Sequence, residues 1–498
     1  MEPTIQKREI QVVAGAGDGS ANSNGTIMPA AVAQVNSAGD DRGRVVDARK
    51  EGIRHALLNG PILPTLMKLG WPTMVVLAVQ TLVGVAETYW VSYLGKAALA
   101  GVTLVFPLSM LMTMMSNGGI GGGVASAVAR AIGAGRRRDA DALVFHALML
   151  AIGFGLLFSF GALFLGPALY RGLGGEGESL AAAIKYSTYV FIGAVPAWIV
   201  NLFASALRGA GNVRVPAIVT MAGAAIMIPL SPAFIFGWGP VPRFGIAGAG
   251  VALTLYYVLA AIALGCYLAS GRSGLVLKRV RMEARLFRDV LRVGLISAIG
   301  TLQPNLTVVV VTGVVGRFGA DALAGYGIAS RLDYVLIPIL FGLGTSVVTM
   351  VGTNIGASQL ARAKRAAWTG AFMGMFAAGI TGAIAAIAPR LWLHLFSRDP
   401  GVVATGSLYL HIVAPFYGAV GITMLLYFAA QGGGRVLWPF LAGTARLVIA
   451  AGLGWFAVAK WGGSLPVLFA IVGGAIAISA LISVVATLTG AIWRAGSE

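Results

Sequence analysis

Charge is scarce in this chain. Only 11% of its 498 residues are Asp, Glu, Lys or Arg, and the acids number 18 against 36 bases. Soluble domains carry about 25% charged residues, so a soluble globular fold is excluded. The single cysteine, Cys266, rules out a disulfide within the chain. Four histidines (His55, His146, His394 and His411) are scattered without metal-ligand spacing. No cofactor is expected beyond a coupling ion. A membrane-embedded transferase would need clustered Asp, His or Cys at one membrane face, and none is visible. A passive channel would need a filter ring, which is equally absent.

What the chain does have is apolar length. It is 57% hydrophobic, its mean hydropathy is +0.84, and its 70 glycines suit helices that approach closely in a bilayer. Apolar runs cover roughly 64–92, 97–128, 141–168, 182–207, 214–236, 246–270, 290–316, 322–354, 366–389, 402–430, 437–459 and 466–493. Each is long enough to cross a bilayer, which predicts twelve spans. Residues 1–60 are polar and lack the apolar core of a signal peptide. They read as a disordered cytoplasmic tail.

The net charge of +18 would suggest nucleic acid in a soluble protein. Here the bases sit in short loops and report topology instead. With the N-terminus inside, seventeen Lys and Arg fall in the five internal cytoplasmic loops and eight in the external ones. This predicts a multi-pass protein of the inner membrane with both termini cytoplasmic, working as a monomer in the lipid bilayer with no nucleic-acid partner. The segment 271–292 reads as a basic amphipathic linker, a solvated surface helix at the lipid headgroups. The expected layout is a tail (1–60), a first lobe (61–270), the linker (271–289) and a second lobe (290–498).

The two lobes look like copies. LGKAALAG (94–101) recurs as FGADALAG (318–325), displaced by 224. Ile132-Gly133-Ala134-Gly135 recurs as Ile355-Gly356-Ala357-Ser358, Arg208-Gly209-Ala210-Gly211 as Gln431-Gly432-Gly433-Gly434, and Pro216 as Pro439, each displaced by 223. Six spans separate each matched pair, an even number, so the repeats run parallel. The expected fold is all-α and integral to the membrane. Its twelve transmembrane helices form two six-helix bundles related by a pseudo-two-fold along the membrane normal, which suits alternating access.

Within span 1, Glu87 lies about 10 Å along the helix from the end of the run Leu66–Leu94. A charge inside a bilayer costs at least ~2.5–3.5 kcal/mol on insertion scales, so a retained one points to a cavity and a use. The run NGGIGGGV (117–124) is no phosphate loop, since it lies inside an apolar span and lacks the G-K-[ST] ending. Phe106-Pro107 and Pro196 should bend their helices by removing backbone hydrogen bonds.

These residues carry a family resemblance over about 64–493. PLSPAFIFGWGPVPRFGIAGAGVALT (229–254), the end of span 1 from Gly84 through Glu87 to Gly95, and the Ile-Gly-Ala-Gly and Ile-Gly-Ala-Ser loops resemble the MATE multidrug and toxin extrusion transporters. One branch of that family has an acidic N-terminal lobe. The resemblance implies coupling-ion roles for Glu87, Asn201 and Thr254, while Met227 and Ser231 stand where that branch has Asn and Asp. Ser231 can hydrogen-bond but cannot titrate near neutral pH, so one carboxylate remains where the branch has two. The family's sodium-linked pattern uses carboxylates in spans 7 and 10. Span 7 offers Gln303, Pro304 and Asn305 instead, and span 10 has no acid.

Gln80, Tyr89, Gln303, Asn305 and Asp333 are the candidate cavity residues. Asp333 has two open readings: a buried ion pair with Arg331 or Arg446, or a place in the second lobe's cavity. Together the resemblance and the residues imply an antiporter. It would export small amphipathic, often cationic, organic substrates in exchange for protons by alternating access. Sodium coupling is the alternative ion, and a flippase for a lipid-linked precursor is the alternative cargo class.

Overall fold

The computed structural model describes residues 51–238 and 241–493, and no strand occurs among them. Eleven helices of 23 to 38 residues are long and apolar enough to cross a membrane, from Ile62–Ser92 (span 1) and Lys96–Gly133 (span 2) to Leu465–Leu488 (span 12). The remaining span, the fourth, is a bent pair. Gly177–Ile192 and Ala194–Gly209 meet at 48° around Gly193. Pro196, one turn on, has no N–H to give the Ile192 carbonyl, so the ladder is broken there. Gly193 also leaves room for the Thr254 side chain of span 6, which a Cβ would strike. All twelve expected spans are present. Spans 3, 7 and 9 begin earlier than expected, at Arg137, Ala284 and Leu360, because polar first turns extend the helix beyond its apolar run.

Spans 2–6 bury one core around Trp198, Tyr170, Phe191 and Phe203. Spans 7–12 bury another around Tyr417, Tyr409, Phe469 and Leu410. The repeat is written in the backbone as well as the sequence. Gly95 and Gly319 have φ of 100° and 104°, Gly135 and Ser358 of 72° and 59°, and Gly211 and Gly434 of 79° and 76°. Each pair shares the displacement of its sequence match.

The lobes meet through glycines placed by the same symmetry. A Cβ on Gly133 would strike the Thr353 carbonyl, and one on Gly356 would strike the Arg130 carbonyl. Gly133 and Gly356 are repeat mates, and so are Arg130 and Thr353. Spans 1 and 8 touch at Gly70 and Leu343, while spans 7 and 2 touch at the matching Gly294 and Ile120. Arg130 adds an ion pair to Asp289 at 2.6 Å, and Ser126 donates to the Gln431 carbonyl. All these contacts lie toward one end, where spans 2, 4, 8 and 10 finish. Toward the other end, residues 96–114 and 302–315 pack mainly within their own lobes and meet across the divide where Asn305 touches Met114, with a cleft beyond that contact.

Two features near the closed end depart from expectation. Of the tail expected over 1–60, residues 1–50 lie outside the described residues, but 51–59 form a helix. Leu57 is 2% exposed and packs with Leu69 and Val213. Arg54 donates to the Gly133 carbonyl at 3.2 Å. Asn354 donates to the Leu57 carbonyl at 3.1 Å, and Arg362 to that of Gly60. This strap therefore fastens the first lobe to the second. The linker is the other departure. Residues 275–283 are not a surface helix but carry no regular secondary structure. Gly271 and Gly274, at φ of 68° and 88°, turn the chain out of span 6. Val276 N–H then donates to Asp141 Oδ1 at 2.8 Å and Glu283 N–H to His146 Nε2 at 2.9 Å. Two of its backbone donors are thus held by span 3 in place of a helical ladder.

Candidate functional site

A polar cavity opens into the first lobe between spans 1, 2, 4, 5 and 6. Thr73 and Gln80 line it from span 1, Asn117 from span 2, Asn201 and Arg208 from span 4, and Tyr256 and Tyr257 from span 6. Its empty volume, open mouth included, is about 410 Å³. Thr73, Gln80 and Glu87 follow one another at intervals of seven, so they share a helix face. Glu87 thus stands about 10 Å further along that face than Gln80, toward the open end. It is half-buried, accepts a long hydrogen bond of 3.4 Å from Tyr186 Oη, and its charge bears on Tyr257.

The floor is built by a defect in span 2. Residues Met115–Ile120 form a π-helical turn, whose extra residue per turn re-aims the side chains around it. Ser116 Oγ accepts from Asn201 Nδ2 at 2.8 Å. Asn117 Oδ1 accepts from Arg208 Nη2 at 2.6 Å, and Ser205 Oγ accepts from the same nitrogen at 2.9 Å. Gly118, Gly119 and Gly121 to Gly123 bring this turn against its neighbours. A Cβ on Gly119 would lie 2.8 Å from Ala298 of span 7, and Gly122 admits the Gln431 amide. A second pocket, lined by Asn117, Arg208, Thr345, Phe341, Phe428 and Gln431, continues from that floor into the lobe interface.

The MatE family profile matches residues 72–233 and again 297–456, which are the two lobes. The protein belongs to the MATE family. A relative from Shewanella oneidensis named an FAD transporter is 30% identical over 409 residues, covering 80% of this chain and 88% of its own. A probable multidrug resistance protein NorM from Thermotoga maritima is 27% identical over 401 residues, covering 77% and 84%. The crystal structure of a MATE protein in complex with MaD3S superimposes with a TM-score of 0.80 over 88% of this chain and 98% of that one, at 24% identity. This chain is accordingly a multi-pass membrane transporter with the MATE fold.

As a MATE chain it distributes its candidate residues over two lobes. In the first, Gln80 and Asn201 line the cavity and Glu87 stands over it, as above. Thr254 donates to the Tyr189 carbonyl at 2.7 Å, behind the bend of span 4. Ser231 is 2% exposed with its hydroxyl unpartnered, and neighbouring Met227 is equally buried. Tyr89 is exposed and its hydroxyl meets that of Tyr93 at 2.6 Å.

In the second lobe, Gln303 donates to Thr444 Oγ1 at 2.8 Å, joining spans 7 and 11. Asn305 donates to the Thr301 carbonyl at 3.1 Å and contacts Met114 of the first lobe. Asp333 sits in the first turn after a break in span 8, beside Tyr417 and within reach of the Arg446 charge, and its own charge bears on Tyr326 and Tyr409. Neither Arg331 nor Arg446 forms an ion pair with it among the described residues. Tyr409 is the repeat mate of Tyr186. Each lobe therefore sets this tyrosine beside its membrane carboxylate, although the carboxylates themselves come from unrelated positions.

Sequence reasoning missed Arg208, Asn117, Tyr186 and Tyr257. Arg208 reads as one more loop base because it ends its span. The clue lay in the repeat, which pairs it with Gln431, a polar residue at the matching end of span 10. Asn117 was the only amide in a glycine run and looked like part of a packing motif.

Proposed function

We propose that this MATE protein is a proton-coupled antiporter that exports amphipathic organic compounds by alternating access. One observation carries the reading. Glu87 is the carboxylate of the first lobe's membrane interior, and it shares a helix face with the lining of that lobe's cavity. Protonation and cargo then act as alternative occupants of one cleft, each favouring a different lobe arrangement. Among the described residues, no three His, Cys, Asp or Glu converge on a point. A hard cation favours several oxygen ligands, often carboxylates, so the donor set fits a proton better than sodium. The seventeen-to-eight loop asymmetry puts the closed end in the cytoplasm, so the cleft faces outward in an inner membrane and both termini lie inside. The protein works as a monomer.

The test is dye uptake into inside-out vesicles, with ethidium as probe and ΔpH or a sodium gradient imposed separately. Uptake should follow ΔpH. Glu87→Gln, which fixes a neutral side chain of the same shape, should lower it at least about tenfold, and Glu87→Asp should keep part of it, as expected for a titrating group with a role in coupling. Wild-type rates and pH dependence in Glu87→Gln would overturn the coupling assignment.

A further inference from the structure

Among the described residues Arg208 is a cation without a counter-ion: acids such as Asp139, Glu283 and Asp289 pair with Arg130, Arg136 and Arg285, and no ion pair involves Arg208. Its two hydrogen bonds, to Asn117 and Ser205, both leave from Nη2. The Nε–H and both Nη1–H donors find no partner among the described residues. The side chain lines both the first-lobe cavity and the pocket that runs from it into the lobe interface. Its repeat mate Gln431 lines that same interface pocket, with Nε2 spent on Gly118 O and Ser297 Oγ at 2.9 and 3.0 Å and Oε1 buried and unpartnered.

A charged group enclosed by protein at the end of a span is costly, and it is retained where it pairs or works. Here no described carboxylate pairs it. The neutral neighbours hold the guanidinium in place without cancelling its charge, and its planar fork fits a phosphate or carboxylate. We propose that Arg208 is an anion subsite at the floor of the transport cavity, taking a phosphate or carboxylate carried by an amphipathic cargo, with Gln431 Oε1 accepting from a hydroxyl or N–H next to that group. The inference rests on the transporter reading for its route but names a site and a charge class of its own.

Riboflavin and flavin mononucleotide differ by one phosphate and report binding by their fluorescence. On purified full-length protein without any gradient, the mononucleotide should bind at least about tenfold more tightly than riboflavin. Inorganic pyrophosphate should compete with the mononucleotide alone. Arg208→Gln should abolish the difference, and Arg208→Lys should keep part of it. Asn117→Ala removes a neutral partner but not the charge, so it should keep the preference; this variant also controls for disturbance of the π-turn, with thermal melting as the check on folding. Failure of the mononucleotide to bind, no preference in wild type, or an unchanged preference in Arg208→Gln would overturn the subsite. Because no ion gradient enters the measurement, failure of Glu87-dependent antiport would leave this result standing, and the reverse also holds.

Discussion

At the scale of single residues, the repeat offers its own controls. Ser358 is the only non-glycine residue with positive φ among the described residues, at 59°, where its mate Gly135 has 72°. A side chain there costs roughly 1–2 kcal/mol in backbone strain, against roughly 0.4–1 kcal/mol of unfolded-state entropy that glycine would add back. Strain is the larger, so Ser358→Gly should stabilise by about 0.5 kcal/mol. Gly135→Ser should destabilise by a similar amount, since nothing lies within 4 Å of its Cβ position and only the backbone objects. Thermal melting of the two variants in detergent measures both, and a lower melting point for Ser358→Gly would contradict the strain argument. The same scale shows where sequence was a poor guide. Glu87 announced itself by being charged where charge is costly. Arg208 did not, because a base at a span end is the commonest place for one, and only the absence of a nearby acid in three dimensions gives it meaning.

At the scale of elements, the twelve spans were legible because a bilayer demands continuous apolar length, and that signal needs no tertiary context. Their ends were less legible, since polar first turns such as Arg137–Asp139 prolong a helix without adding apolar residues. The strap over 51–59 was not legible at all. It ends a polar stretch, and it acquires its helix by burying Leu57 and lending the Leu57 and Gly60 carbonyls to Asn354 and Arg362. The linker departs in the opposite sense: its basic pattern suited a surface helix, but the N–H groups of Val276 and Glu283 are taken by Asp141 and His146. Because the strap holds both lobes at the closed end, the proposed alternating-access cycle requires it to let go before that end opens. Leu57→Asp buries a charge in its anchor, and Arg362→Ala removes two of its hydrogen bonds. Both should raise the labelling rate of a cysteine placed at Ser126, read with a maleimide supplied from the closed-end side. Unchanged labelling in both would make the strap a passenger.

At the scale of the whole molecule, the lobe interface behaves as a single symmetric seal. Gly133 and Gly356 sit at equivalent places in spans 2 and 8, and each approaches the backbone of the opposite lobe so closely that a methyl group would strike a carbonyl, of Thr353 or of Arg130. A carbonyl inside a helix cannot step aside as a flexible side-chain tip can. The added methyl must therefore push the lobes apart at this end or be accommodated with strain, and overpacking of this kind costs about 1–3 kcal/mol. The cost applies only while the end is closed, so it becomes a differential energy between the two arrangements and moves their ratio by about 5- to 150-fold. Gly133→Ala and Gly356→Ala should each shift the population toward the form open at the linker end, and by similar amounts, because the symmetry makes the two contacts equivalent. Gly161→Ala, in span 3 with open space around its Cβ position, should leave the ratio unchanged. Spin labels on spans 2 and 8 near Arg137 and Gln359 would read the separation directly. If only one of the two glycine variants moved the distance, the seal would not be symmetric and the pseudo-two-fold would be a feature of the backbone alone. If neither moved it while both melted normally, the lobes would be parting elsewhere than at this glycine contact.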